Sequence, residues 1–207
     1  INGVDYLVKL AAHMRRTDPD VHFVVAGDGA KREALLDEAR KLNVLERNFW
    51  VLAPLPKHQV PALLSLATVA CVTFIPNPAH WPNSANKFFD ALAAAKPIAI
   101  NYGGWQKTLL EESGAGLGLP PNDISVSARR LRPFLADTQA LERASAAAVR
   151  LAESTYSRDV HAAQLQWVLE QSTSEGRTGV RASLALGRNI PAAYMHKDAP
   201  KTASPFQ

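Results

Sequence analysis

The order of hydrophobic and polar positions predicts short strands alternating with helices between residues 3 and 119. Helical segments carry apolar residues three or four positions apart, whereas the strand segments are continuous apolar runs. The predicted helices cover residues 3–16, 31–42, 60–66, 84–95 and 106–112, and the predicted strands cover 22–26, 49–52, 69–74, 97–100 and 116–119. Strands that are apolar on both faces are typical of parallel sheets covered by helices on each side. The pattern therefore predicts an α/β fold with a Rossmann-like, doubly wound parallel sheet.

The rest of the chain divides into a helical part and an aperiodic part. Helical spacing continues over residues 124–135, 138–153 and 157–170, and we expect these helices to close the domain. Residues 172–207 lose this periodicity and are rich in Ser, Thr, Gly, Ala and Pro. We therefore predict one domain over residues 1–171 and a loosely attached tail over residues 172–207.

The first predicted element is a helix, although a doubly wound domain normally opens with a strand. The sequence also begins with Ile1 and has no initiator methionine. Both observations favour a parent protein with a further half upstream of this chain.

The charge distribution argues against nucleic acid as a partner. The chain has a net charge of +4 and an isoelectric point near 9.3, but residues 172–207 carry five basic and two acidic side chains. The preceding residues hold 18 basic and 17 acidic side chains, which is no electrostatic footprint for a phosphate backbone. No apolar run approaches the roughly 18 to 20 residues of a membrane span. The single cysteine, Cys71, forms no internal disulfide, so we expect a cytoplasmic, reducing location.

The segment from Pro82 to Pro97 is the strongest candidate for chemistry. A loop at the carboxyl end of a strand leads to Ser84, a good N-cap for the following helix. Open α/β sheets bind ligands at this edge, and the start of a helix attracts anions such as a diphosphate. Lys87 in the first turn opposes the helix dipole unless an anion is bound there, and Asp90 one turn later can accept two hydroxyl hydrogen bonds from a ribose. An ordinary capped amphipathic helix with a solvated Lys and Asp remains an open alternative.

Three segments together resemble a known family. They are Gly27-Asp28-Gly29, the run from Asn86 to Pro97, and the run from Gly114 to Asp123. In order and spacing they are similar to the C-terminal half of a retaining GT-B glycosyltransferase of group 1, especially to bacterial branches that build O-antigen and colanic-acid-type polysaccharide. The resemblance covers residues 2–171. It implies that this half binds a nucleotide-sugar donor and that a separate N-terminal half binds the acceptor.

The resemblance also implies roles for individual residues. Asp90 matches the second acid of the family's paired-acid motif and would hold the ribose, while Pro82 stands at the position of the first acid. Ser84, Asn86 and Lys87 match the helix start that meets the diphosphate. The remaining matches are Gly27 and Gly29 in the turn that lines the cleft and Leu55 in the loop that meets the nucleobase. The family's pair of basic phosphate contacts would fall ahead of residue 1 and at Asn2, where an asparagine predicts an absent or weakened contact.

The other candidate motifs are weaker. Gly103 and Gly104 follow a predicted strand and could turn their backbone amides toward a sugar, or they could only form the turn beside a buried Trp105. Arg32 stands where a dinucleotide fingerprint needs its third glycine, which disfavours a nicotinamide cofactor. The six histidines form no pair at metal-ligand spacing, so we expect neither a metal nor a cofactor. His80 and Trp81 are predicted to lie on the surface.

These observations predict the donor-binding half of a retaining glycosyltransferase that is inactive without its partner half. The resemblance implies a UDP-sugar donor and a lipid-linked saccharide acceptor at the inner face of a bacterial membrane, in surface polysaccharide synthesis. The chain would then be cytoplasmic, with a peripheral place at the inner face of that membrane as an expectation from the same resemblance. Two alternatives remain, a half of a sugar-nucleotide epimerase and a non-catalytic nucleotide-binding module.

Overall fold

The computed structural model describes residues 2–175. The helices are α1 (Asp5–Met14), α2 (Arg32–Lys41), α3 (Val60–Leu66), α4 (Asn86–Ala93), α5 (Trp105–Ser113), α6 (Ile124–Ala136), α7 (Thr138–Glu153) and α8 (Arg158–Glu175). The strands are β1 (Phe23–Ala26), β2 (Phe49–Leu52), β3 (Ala70–Val72), β4 (Ile98–Ile100) and β5 (Gly116–Gly118). Single turns of 3-10 helix lie at Lys57–Gln59 and Pro78–His80.

The predicted order of helices and parallel strands is confirmed. The elements β2, α3 and α7 begin and end where the hydrophobic pattern places them. Strand β3 is shorter than predicted, because Thr73 and Phe74 no longer extend the β3–β4 ladder. Their polar groups pair instead with Asn2 and with the side chain of Asn101.

The strands form two hydrogen-bonded groups within the described residues. Strands β1 and β2 pair in parallel with Phe23 opposite Phe49. Strands β3, β4 and β5 also pair in parallel, with Ile98 between Ala70 and Gly116. A Cβ on Gly116 would lie 1.9 Å from the carbonyl oxygen of Ile98, so the β4–β5 pairing requires glycine there. The sequence predicted one sheet, because runs of apolar residues indicate strands without saying which strands are neighbours.

Helix α1 lies at the centre of the hydrophobic core. Its buried residues are Tyr6, Leu7, Val8, Leu10, Ala11 and Met14. They pack in one cluster with Phe23 of β1, Phe49 of β2, Ala99 of β4 and Leu131 of α6, so this helix links both groups of strands to α6. Each fully buried large aliphatic side chain contributes about 1.5–3 kcal/mol through the hydrophobic effect. The core therefore fixes the start of α1 relative to the ends of the strands.

One face of the β1–β2 pair is exposed. Val24, Trp50 and Leu52 are 48%, 37% and 38% exposed, and Val24 lies opposite Trp50 in the register. The continuous apolar runs had predicted helices over both faces. Helix α3, which follows β2, buries none of its residues and so does not supply that cover.

The chain divides into two compact units at a point within α7. The first unit ends at Val149 and the second begins at Arg150. In the described part of the second unit, a ring nitrogen of His161 lies 2.9 Å from the carbonyl oxygen of Thr155, at the start of α8. The domain boundary predicted at residue 171 stays a prediction. The predicted tail begins within α8, and its residues from 176 onward lie outside the described residues.

Candidate functional site

The loops that carry the predicted site residues follow the carboxyl ends of the strands. Gly3 lies against Phe74 just beyond the end of β3, since a Cβ on Gly3 would be 2.4 Å from the Phe74 carbonyl group. From there α1, which is about 15 Å long, leads away from the carboxyl end of β3, and β1 leads back toward it. Strands β1 and β3 therefore run in the same direction. Their carboxyl ends lie on one side of the unit, as in other open α/β folds that bind ligands at this edge.

The glycine turn after β1 and the loop after β2 form a shallow pocket. The Gly27 N–H donates to the carbonyl oxygen of Leu52 at 3.3 Å, which joins the two loops. The Gly29 N–H donates to the Asp28 carboxylate at 2.7 Å and closes the turn. The pocket has a volume of about 440 Å³ and is lined by Asp28, Gly29, Ala30, Arg32, Glu33, Ala53 and Pro54. Leu55, assigned to the nucleobase from the resemblance, follows directly and is half-buried.

The prediction that Ser84 caps α4 is wrong. The helix begins at Asn86, its N-cap is Ala85, and no side chain caps it. Ser84 lies one residue too early for its hydroxyl to reach the amides of the first turn, and its side chain is exposed. The start of α4 therefore keeps backbone N–H groups that no side chain satisfies, and Ser84 can act only from the preceding loop.

Lys87 points away from the acid on its own helix. Its Nζ donates to Asn2 Oδ1 at 2.9 Å and lies 5.4 Å from the centre of the Phe74 ring. Within the described residues Lys87 makes no ion pair, although Asp90 is three positions further along α4. Partial burial lowers the pKa of the Lys87 ammonium from its ordinary value. The arrangement leaves a cation beside the start of a helix with a neutral acceptor and a ring as its partners.

Asp90 and Asn86 occupy the exposed side of α4. They are four positions apart, so their side chains lie on one face of the helix. The carboxylate of Asp90 makes no ion pair in the part of the chain that the structure describes. It is therefore open to solvent and to hydroxyl donors.

The sequence reasoning missed the residues that fix the end of β3. The buried amide of Asn101 bonds both backbone groups of Phe74: it accepts from the Phe74 N–H at 2.8 Å and donates to the Phe74 oxygen at 2.9 Å. The ring of Phe74 packs edge-on against Tyr102, with 4.9 Å between centres. A polar residue directly after the buried strand β4 was the available signal for Asn101. This pairing holds the ring that supports Lys87.

Trp81 packs on the glycines after β4. A Cβ on Gly103 would lie 2.7 Å from the Trp81 ring, and a Cβ on Gly104 would lie 2.5 Å from the Trp81 carbonyl oxygen. Trp81 is thus half-buried, in contrast to the predicted surface position. Trp105 is 36% exposed and donates its indole N–H to the carbonyl oxygen of Asn83 at 3.0 Å. One side of Gly103 and Gly104 is therefore occupied by protein, and their predicted contact with a donor stays a prediction.

Two kinds of feature are absent from residues 2–175. No group of three or more His, Cys, Asp or Glu side chains is placed to hold a metal ion. No helix in this range is both long enough and apolar enough to cross a membrane.

Comparison with known proteins gives one family. A family model described as Glycosyl transferases group 1 matches residues 2–150. Glycogen synthase of Mycobacterium tuberculosis is 29% identical over 147 residues, which are 70% of this chain and 34% of that relative. The chain therefore spans about a third of the length of this curated relative.

Several solved structures share the architecture of this chain. The C-terminal domain of a glycosyl transferase group 1 family protein, LpcC of Francisella tularensis, superposes with a TM-score of 0.63 at 12% identity over 76% of this chain and 80% of that one. A TarM mutant of S. aureus in complex with Fondaparinux, alpha-GlcNAc-glycerol and UDP gives 0.61 at 13% identity over 73% of this chain and 30% of that one. At these identities the likeness establishes the fold, which is that of GT-B glycosyltransferases.

Proposed function

The chain belongs to the group 1 glycosyl transferase family, and from this we propose that it forms the nucleotide-sugar-binding half of a retaining glycosyltransferase. The observation that carries the proposal is the uncompensated ammonium of Lys87 beside the uncapped start of α4. A diphosphate would satisfy the free N–H groups and the cation at once.

The proposed chemistry is electrostatic. As the bond between the sugar and the diphosphate breaks, negative charge grows on the departing phosphate oxygens. The amides of α4 and the Lys87 ammonium would stabilise that charge, with Ser84 acting from the preceding loop. Asp90 would accept hydrogen bonds from the ribose hydroxyls, and Asn86 would contribute polar contacts from the same face.

The nucleobase would bind near the loops after β1 and β2. Gly29 in the pocket lining and Gly27 beside it leave backbone open, because nothing lies within 4 Å of a Cβ placed on either of them. Leu55 would supply an apolar contact to the base. A uridine nucleotide is our choice because the sequence resembles UDP-sugar users and because the related TarM structure contains UDP.

We propose that the acceptor is a lipid-linked saccharide at the inner face of a bacterial membrane, used in surface polysaccharide synthesis. This part of the proposal rests on the resemblance in sequence. Transfer would occur in a cleft between this half and an acceptor-binding half, so we expect this chain alone not to transfer sugar.

The test is a binding matrix by isothermal titration of the 207-residue chain with uridine, UMP and UDP. Asp90→Ala should weaken uridine and UDP alike, by roughly 10-fold to 100-fold, since a charged hydrogen-bond acceptor is lost. Lys87→Ala should weaken UDP by roughly 10-fold and leave uridine unchanged, and the loss should shrink as salt rises. Lys41→Ala and Glu112→Ala remove exposed charges from other helices and serve as matched controls.

Several outcomes would contradict the proposal. Absence of detectable binding of UDP, GDP and ADP at millimolar concentration would exclude a donor site on this chain. If Lys87→Ala weakened uridine as much as UDP, or if Asp90→Ala changed neither, α4 would be only a structural helix. Binding with unchanged affinities in both variants would favour a nucleotide-binding module whose site lies elsewhere.

A further inference from the structure

We propose that Asn2 is a positioning residue that holds the Lys87 ammonium toward the phosphate site through a hydrogen bond to its uncharged amide oxygen. The inference rests on the proposed function, because it concerns how Lys87 is presented to a diphosphate. It gives Asn2 a role different from the weakened phosphate contact that the sequence suggested.

The first support is the choice of partner that Lys87 makes. A lysine and an aspartate three positions apart on a helix commonly form an ion pair. Here the Lys87 Nζ instead lies 2.9 Å from Asn2 Oδ1, and no ion pair with Asp90 is present in the described residues. The contact spans 85 positions along the chain. Asn2 therefore draws Lys87 away from Asp90 and leaves both charges unneutralised.

The second support is that Asn2 is itself fixed by the end of β3. The hydroxyl of the buried Thr73 donates to the Asn2 carbonyl oxygen at 2.7 Å. The next residue, Gly3, has φ of +53° and lies so close to Phe74 that a Cβ would be 2.4 Å from its carbonyl group. The Phe74 ring in turn lies under the Lys87 ammonium. The backbone of Asn2 and the ring of Phe74 thus both adjoin the end of β3, and the Asn2 amide and this ring together set where the cation lies.

The third support is the neutrality of the acceptor. A carboxylate at position 2 would orient Lys87 equally well, but it would cancel its charge and repel a phosphate. An amide oxygen orients the ammonium and leaves its full positive charge available.

The experiment is a double-mutant cycle of Asn2→Ala and Lys87→Ala, read by titration with UDP and with uridine and accompanied by melting curves. Asn2→Ala should lower the affinity for UDP by about threefold to tenfold and leave uridine unchanged. In the Lys87→Ala background the same substitution should have no further effect, since the residue acts through Lys87. Asn2→Asp, which keeps the side-chain shape, should weaken UDP more than Asn2→Ala does, and more at low salt than at high salt.

The outcomes separate this inference from the proposed function. If Lys87→Ala weakens UDP but Asn2→Ala does not, or if the two losses simply add, the positioning role is overturned and the donor site stands. An equal loss for uridine and UDP in Asn2→Ala would indicate a merely structural role at the start of α1 and would also overturn it. If Lys87→Ala leaves the UDP affinity unchanged, the phosphate contact of the proposed function fails, and the positioning role fails with it.

Discussion

Replacing Asn101 with alanine should destabilise the first unit and disturb the site together. The Asn101 side chain is 1% exposed and is the partner of both the N–H and the carbonyl oxygen of Phe74. It lies just beyond Val72 and Ile100, the last pair of the β3–β4 ladder, and its side chain takes over the pairing of the Phe74 backbone where the ladder ends. Asn101→Ala would leave two buried backbone groups without a partner.

The size of the effect follows from those two groups. Each unpaired buried polar group costs about 1–3 kcal/mol. A water molecule entering the vacated space can satisfy part of the loss, so we expect the free energy of unfolding to fall by about 2–4 kcal/mol. For a protein of this length that corresponds to a drop of roughly 5 to 15 °C in the melting temperature.

Urea unfolding and thermal melting followed by circular dichroism measure the change. Asn122→Ala, in an exposed loop, is the matched control and should change the free energy of unfolding by less than about 0.5 kcal/mol. Below its melting temperature, Asn101→Ala should also bind UDP more weakly, because the ring of Phe74 that supports Lys87 is no longer fixed. A stability loss below about 1 kcal/mol, close to the control, would refute the argument that this amide holds the end of β3.

Two further predictions concern the backbone and the cysteine. Gly3→Ala should destabilise the protein clearly more than Gly114→Ala. Both glycines have left-handed φ values, but of the two only Gly3 faces backbone, that of Phe74. The control, Gly114→Ala, should lower the free energy of unfolding by about 1–2 kcal/mol, and equal losses in urea unfolding would contradict the reasoning. Cys71 is half-buried, and desolvation raises the pKa of its thiol to about 11. A thiol reagent at pH 8 should therefore label the folded protein more slowly than the urea-unfolded chain, and equal rates would contradict this expectation. Because this pKa is raised in the folded state, its contribution to stability should be lost as pH rises from about 9 toward 11.

The sequence by itself determined the elements and their class. The observed elements match the predicted ones at residues 49–52, 60–66 and 138–153. The spacing of apolar residues is a local property of the sequence, and it differs between helices and strands. The alternation of helices with continuous apolar strands was enough to predict parallel pairing. The motifs of residues 86–97 and 114–123 were enough to identify the family, which the match over residues 2–150 confirms.

The tertiary structure decided what depends on contacts between distant parts of the chain. Three features are of this kind: the division of the strands into two groups, the exposed face with Val24 and Trp50, and the contact of Lys87 with Asn2. Each depends on how segments that are far apart in the sequence are arranged in space. The N-cap of α4 also could not be predicted from the sequence pattern. Ser84 and Ala85 are neighbours, and only the backbone geometry shows that Ala85 is the N-cap. A periodic pattern specifies which side of an element is buried, but it does not specify which distant side chain that element contacts. At the candidate site such a contact, between Lys87 and Asn2, sets the position of the cation.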